Sequence, residues 1–339
     1  MIHAHLGRTG VRVSRLCLGV MNFGPLVTED VSSAVMDRAL DAGINFFDTS
    51  NTHGRPAGAT ENADAGAAEH VVGGWLSRSR GRRDRIVLAT GVHGSPGPGP
   101  GEGKLSGPEI RRCCDESLRR LRTDHIDLLQ IRHVARDAPW EEIWQAMDVL
   151  VAQGKIVYVG SSGLAGWEIA AGNEAAMRRR SLGLVSEQCD YSVLERAVES
   201  EVLPVCESYG VGVIGRSPLM DALLDGAPGE RRVGRSAATS PSVHEPWRQR
   251  LEQRLEKYRP RFEAFAALCE SIGERPADVA FAWALAQPAL TAATIGPRTV
   301  EQLTGSLRAL EIVLGEKELA ALDEIVPGPA GPTGTAKEA

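Results

Sequence analysis

Short apolar runs at residues 15–18, 45–48, 86–90, 126–131, 157–161, 184–188, 212–215 and 292–295 alternate with stretches of helical periodicity near 30–42, 63–78, 109–121, 141–153, 165–178, 195–209, 276–287 and 299–310. A short apolar run bounded by turn residues reads as a buried strand, and a strand followed by an amphipathic helix is one βα unit. Parallel strands need such crossovers, which cover the sheet on its outer face. Eight units in series predict an α/β chain closed into a (β/α)8 TIM barrel. With 339 residues the chain matches one such barrel carrying insertions, or two average domains; the eightfold alternation favours one. A single domain over 1–326 is expected, followed by a flexible tail over 327–339, PGPAGPTGTAKEA, too rich in Pro and Gly to pack.

Composition narrows the partners. There are 38 Lys plus Arg against 44 Asp plus Glu, a formal charge of -6, and no basic run long enough to follow a phosphate backbone. Nucleic acid and anionic membrane are therefore not expected, while a small anionic ligand held by local Arg stays open. The start, MIHAHLGRTGVRVSRL, lacks the layout of a secretory signal, and no stretch of about 18 apolar residues occurs. A cytoplasmic protein is expected. Its six cysteines (17, 113, 114, 189, 206 and 269) show no CxxC spacing and read as reduced core residues.

The active site of a (β/α)8 barrel lies at the C-terminal ends of the strands, so the residues there are the ones to read for chemistry. They are Asp48, His53, Gly91, His93, Arg132, His133, Ser162, Gln188 and Arg216. Two segments interrupt the alternation: a Gly/Pro loop, GSPGPGPGEG at 94–103, and a mixed-charge insertion at 219–245 before an extra helix near 246–272. Both follow strands, which places them over the barrel mouth.

HLGRTGVRVSRLCLGVMNFG, DRALDAGINFFDTS, IRRCCDESLRRLRTDHIDLLQ, WEEIWQAMDVLVAQGKIVYVGSS, GLVSEQCDYSVLERAVESEVLPVCESYGVGVI and IGPRTVEQL follow one another in an order and spacing that resembles the aldo-keto reductases, up to about residue 326. WEEIWQAMDVL, GLVSEQC and LDEIVPGP look most like bacterial members, including reductases of nucleotide-linked deoxysugar enoyl or keto intermediates. The resemblance implies a barrel with an N-terminal β-hairpin plugging its bottom, a C-terminal extra helix and an NADP-binding mouth.

Family chemistry uses a tyrosine as proton donor, a lysine that lowers its pKa, an aspartate paired with the lysine, and a histidine orienting the substrate. Of these, the aspartate alone is kept, as Asp48. His53 stands at the tyrosine position, Gly91 at the lysine position, and Arg132 at the histidine position with His133 next to it; a one-residue shift would put His133 there instead. In the implied cofactor site Ser162, Gln188, Ser217, Arg298 and Gln302 keep their matches. Gly163 replaces an asparagine, Arg216 replaces the aromatic that stacks on the nicotinamide, and Asp221 falls where phosphate would lie. NADP is thus implied with its nicotinamide end altered, and no metal is expected.

Loss of the lysine leaves a buried Asp48 in need of a cation, and Arg132 at the neighbouring strand end is the natural candidate. A structural ion pair is its competing role. An imidazole at position 53, with an ordinary pKa of about 6.5, exchanges protons at neutral pH without help from lysine. A solvated loop residue is the competing reading for His53 and for His93. A guanidinium at position 216 suits a carboxylate, phosphate or enolate better than a nicotinamide ring. The leading expectation is an enzyme of bacterial secondary or sugar metabolism doing proton-transfer chemistry (dehydration, elimination or isomerisation) on a small oxygenated substrate, anionic or nucleotide-linked. Asp48, His53, His93, Arg132, His133 and Arg216 are its candidate catalytic residues. A second expectation is NADP-dependent reduction of a keto or enone intermediate with His53 or His133 as donor. A third is a non-catalytic protein binding a nucleotide or a partner.

Overall fold

A computed structural model describes residues 1–54, 66–93, 105–132, 138–220, 224 and 245–329. A hairpin of β1 (His3–His5) and β2 (Arg12–Ser14) precedes the barrel strands β3 (Leu16–Gly19), β4 (Phe46–Ser50), β5 (Val87–Val92), β6 (Ile126–Arg132), β7 (Ile156–Ser162), β8 (Leu184–Asp190), β9 (Gly212–Arg216) and β10 (Leu290–Ile295). Each pairs in parallel with the next, and β10 closes on β3. Helices α1 (Glu29–Asp41), α2 (Ala67–Ser77), α3 (Gly107–Leu121), α4 (Trp140–Ala152), α5 (Gly166–Arg178), α6 (Val202–Tyr209), α8 (Pro276–Ala286) and α9 (Val300–Ser306) alternate with the strands. Two more are added, α7 (Glu245–Ile272) and α10 (Glu316–Ile325). The eight expected strands are all present. The 94–103 loop, the 221–223 and 225–244 parts of the insertion, His133 and the tail from residue 330 lie outside the described residues.

Local sequence explains the elements. Helix α3 begins after Ser106 with a proline in its first turn, presents Ile110, Cys113, Cys114, Ser117 and Leu121 to the barrel, and leaves Arg111, Arg112 and Arg119 outside. Strand β4, FFDTS, is buried along its whole length because it has neighbours on both sides, with Phe46 inside the barrel and Phe47 against the helices. The barrel interior holds Cys17, Phe46, Ala89, Leu128, Val185, Ile214 and Ala292, closed below by Leu6 and Val13 of the hairpin segment. This layered packing makes the interior a solid floor rather than a channel, so a ligand has only the upper mouth to enter. All six cysteines are buried and free. No helix among the described residues is long and apolar enough to cross a membrane.

Candidate active site

A pocket of about 430 Å³ opens at the C-terminal ends of the strands, with Asp48, His53, Arg132, Gln188, Arg216 and Ser217 in its lining. Asp48 lies at its floor, 4% exposed. Gln130 Nε2 donates to its Oδ1 at 2.6 Å and Gln188 Nε2 to its Oδ2 at 3.1 Å, so both oxygens are satisfied by carboxamides. Burial pushes the Asp48 carboxyl up from its ordinary range, opposed first by the charge of Arg132 and then by the two glutamines.

Arg132 reaches this floor through space that Gly91 leaves open. An ideal Cβ on Gly91 would stand 2.4 Å from Arg132 Nε and 2.9 Å from its Cδ. Strands β5 and β6 are paired there, Gly91 with Gln130, and Arg132 follows two residues on with its side chain on the same interior face. Its Nη2 donates to Gln188 Oε1 at 3.0 Å, its Nη1 stands 3.5 Å from His53 Nε2, and its Nε is buried without a partner. The direct ion pair expected between Arg132 and Asp48 is not formed. Gln188 lies between them, accepting from the guanidinium at one end of its amide and donating to the carboxylate at the other. The cation therefore acts on Asp48 through one relay and through its field.

His53 differs from the sequence expectation in its charge. Burial, the Arg132 and Arg216 guanidiniums and His93 push its pKa down to about 3. Its Nδ1 is buried without a hydrogen-bond partner. A ring expected to titrate near neutrality is instead a neutral imidazole, because a second cation beside Arg132 is disfavoured at a buried position. His93 is fixed at the end of β5 by its backbone, which exchanges bonds of 3.0 and 2.9 Å with the Asn51 side chain, and it is not among the residues lining the pocket.

Arg216 forks onto Asp190, Nε to Oδ1 at 2.7 Å and Nη2 to Oδ2 at 3.0 Å. The sequence reading left this guanidinium free for an anion; the structure commits its two-pronged face to a carboxylate. The signal was available, since Asp190 and Arg216 are register partners on β8 and β9. Gln130 was missed for a similar reason, although its place two residues before Arg132 puts it on the same interior face.

Ser162 is buried at the end of β7, with Oγ 3.5 Å from Gln188 Oε1. The turn after it is held by Glu187, whose Oε1 accepts from the amides of Gly163 at 2.7 Å and Leu164 at 3.1 Å while Oε2 accepts from Ser161 Oγ at 2.5 Å. Gly163 has φ of 77°, a left-handed conformation open to glycine without strain. Burial raises the Glu187 carboxyl to about 7 against these bonds.

A second cavity of about 310 Å³ shares Leu219, Phe281 and Gly296 with the first and extends to Gln302 and Ser306 at α9. The Gln302 side chain accepts from the Arg298 amide at 2.7 Å, and Thr299 caps the helix by accepting from the Gln302 amide at 3.2 Å. Arg298 is partly buried, forms no ion pair among the described residues, and has its pKa lowered by burial alone. The two cavities thus adjoin between the carboxylate floor and the start of α9.

The chain matches the Aldo/keto reductase family over residues 15–327. It belongs to that family. Among the relatives of this aldo-keto reductase is the uncharacterized oxidoreductase YrpG of Bacillus subtilis, 44% identical over 337 residues that cover 98% of each chain. Norsolorinic acid reductase stcV of Emericella nidulans is 30% identical over 95% of this chain and 80% of its own, and a probable aldo-keto reductase 1 of Glycine max is 30% identical over 95% and 88%. The barrel with its N-terminal hairpin, expected from the resemblance, is the fold observed.

Proposed function

We propose that this aldo-keto reductase reduces a small carbonyl compound, keto or enone, at the expense of a reduced nicotinamide dinucleotide, with NADPH the preferred form. The observation that carries the reading is Arg132 in the space vacated at Gly91. Together the two substitutions return a cation to the region of Asp48 that loss of the lysine would have emptied, so the polar floor is rearranged rather than dismantled. The adjoining cavities leave room toward α9 for a dinucleotide, and beside them Arg298 is a half-buried cation with no ion pair among the described residues, as a 2′-phosphate contact should be. Arg298 and Gln302 would hold its adenosine end, and Ser217, Ser162 and Gln188 its nicotinamide end. When bound, the dinucleotide supplies a hydride.

The residues of this chain do the rest. Arg132, itself buried, offers N–H donors where negative charge would develop on the substrate oxygen. Gln188 orients Arg132 and couples it to Asp48. The fork of Arg216 on Asp190 balances charge beneath the ring position, so the cation does not oppose an oxidised nicotinamide as a lone guanidinium would. Proton-transfer chemistry with His53 as base fits less well, because a base whose conjugate acid has a pKa of about 3 accepts protons poorly at neutral pH. Six free thiols agree with work in the reducing cytoplasm.

The test is a fluorescence titration with NADPH and NADH. Micromolar NADPH binding is expected, and Arg298→Ala should weaken it by roughly 10-fold or more while changing NADH little, since only the former carries the charge-assisted contact. Equal losses for both would remove the stated NADPH preference, and no binding of either would remove the reading.

A further inference from the structure

The turn between β7 and α5 is built on one buried carboxylate. Ser161 and Ser162 of β7 are register partners of Glu187 and Gln188 of β8. Successive side chains on a strand point to opposite faces, so Gln188 lines the mouth with Ser162 Oγ beside it, while Ser161 and Glu187 meet on the outer face. Glu187 is fully buried, and its donors are the Ser161 hydroxyl and the Gly163 and Leu164 amides. The Gly163 amide also donates to the Gln188 carbonyl at 3.0 Å. One peptide N–H thus ties the residue after Ser162 both to the Glu187 carboxylate and to the backbone of Gln188. Whatever tightens or frees that amide acts on the Ser162–Gln188 pair.

Both protonation states of Glu187 can be satisfied in place. The carboxylate accepts from Ser161 Oγ at Oε2 and from the two amides at Oε1. The acid carries its proton on Oε2 and donates to Ser161 Oγ, whose own hydroxyl proton turns to Ser186 O, 3.3 Å away. The amides then face a neutral oxygen, and bonds to a charged acceptor are roughly twice as strong. Protonation slackens the turn without orphaning a polar atom. Among the described residues, the Arg216 guanidinium on β9 is the cation whose charge acts on Glu187, and it favours the ionised form. The Cys189 and Cys206 thiols nearby are pushed up by burial and stay neutral through the physiological range. On the solvent side of the same turn, Glu168 and Glu201 accept from the Ala165 and Trp167 amides, each at 2.9 Å. Burial against these bonds brings the Glu187 proton exchange to about 7.

Resting on the reductase reading above, we propose that Glu187 is a positioning residue that couples dinucleotide affinity to pH. Its ionised carboxylate braces the 163–164 turn, and with it the Ser162–Gln188 pair for the nicotinamide end; its protonation relaxes that brace. By linkage, a ligand that prefers the braced turn prefers the ionised acid, so binding drives a proton off Glu187 and affinity rises with pH. Glu187 touches no ligand atom and acts through the turn alone. The charge that is costly to bury during folding is the same charge that holds the site in order once the chain has folded.

Two measurements on the full chain test this. In the first, NADPH affinity is read by fluorescence titration across the neutral range for the wild type and for Glu187→Gln, whose amide oxygen still accepts from Gly163 and Leu164 but never ionises. The two proteins should bind alike below about pH 6, and the wild type should bind roughly 5-fold tighter above about pH 8. Ionisation of the 2′-phosphate is common to both proteins and cancels in their ratio. The second needs the wild type only, so it stands where the variant fails to fold. Calorimetry near pH 7 in two buffers of different ionisation heat counts the protons released on binding NADPH and 2′-phospho-ADP-ribose, which carries the same phosphates and no nicotinamide. More protons should leave with NADPH. A wild-type to variant ratio that does not change with pH, or equal proton release by the two ligands, would overturn the proposal while leaving the reductase reading intact. Failure to bind NADPH at any pH would overturn both.

Discussion

Gly91 and Arg132 share one volume: a Cβ on the glycine would sit 2.4 Å from the Nε of the arginine. Neither residue is interpretable alone. On the correspondence the resemblance implies, a glycine at the lysine position reads as a deletion and an arginine at the histidine position as an intrusion. Side by side they are one exchange, in which the cation enters the floor from β6 instead of β5. Gly91→Ala should therefore displace the guanidinium and behave as overpacking, costing about 1–3 kcal/mol in denaturant unfolding. Adding Arg132→Leu removes the collision, so the double variant should be more stable than the sum of the singles by about 0.5–3 kcal/mol. Strict additivity would show that the two do not compete for space.

The Arg216–Asp190 fork sets how well the pocket tolerates positive charge. The pair is about half exposed, so Asp190→Asn should change stability by under about 1 kcal/mol. Its effect belongs in binding. On the proposed cofactor placement, Arg216 without the carboxylate would face the ring position as an uncompensated cation, and affinity for NADP should fall several-fold relative to NADPH. Titrations with the two forms read this ratio directly, and an unchanged ratio would separate Arg216 from the ring position.

The fold was legible because each barrel strand is a short apolar run of a kind that only a sheet covered on both sides can bury. A C-terminal extra helix was implied by the resemblance alone; α10, Glu316–Ile325, does not announce itself by periodicity, since EKELAALDEI buries only Leu322 and carries charges at both ends. The hairpin was legible through resemblance alone; strands of three residues hold too little alternation to announce themselves. In the site, single residues could be picked out from the sequence while their relations could not. Asp48, Arg132 and Gln188 were singled out, yet the carboxamide between the two charges depends on how three strands meet in space. The charge of His53 was misjudged because desolvation beside a cation is a property of the assembled pocket and leaves no mark in the order of residues.

Glu187 makes stability depend on pH near neutrality. Its carboxyl has a folded pKa of about 7 against an ordinary value of about 4.5. Between these values the folded chain binds the proton and the unfolded chain does not, so stability is highest below about pH 4.5 and is lost as pH rises through 7, with a span on the order of 3 kcal/mol. Glu187→Gln can still accept from the Gly163 and Leu164 amides and should flatten this limb. Unfolding free energies measured from pH 5 to 8 for both proteins check it; identical slopes would assign the pH dependence to other groups.

His53 has the opposite sign. Its folded pKa is about 3 and the ordinary value is 6.5. The unfolded chain therefore takes up a proton first on acidification, and stability is fully present above about pH 6.5 and is lost as pH falls toward 3. The same neutrality governs activity: a rate profile from pH 5 to 8 should show no limb assignable to an imidazole, and the ¹³C shifts of a ring-labelled His53 should stay at their neutral values throughout that range. His53→Gln should keep the profile shape and lose the acid-sensitive part of the stability difference. If the labelled ring instead titrates between pH 6 and 7, the cation at Arg132 is not where the structure puts it, and His53 returns as an acid and base for the reaction.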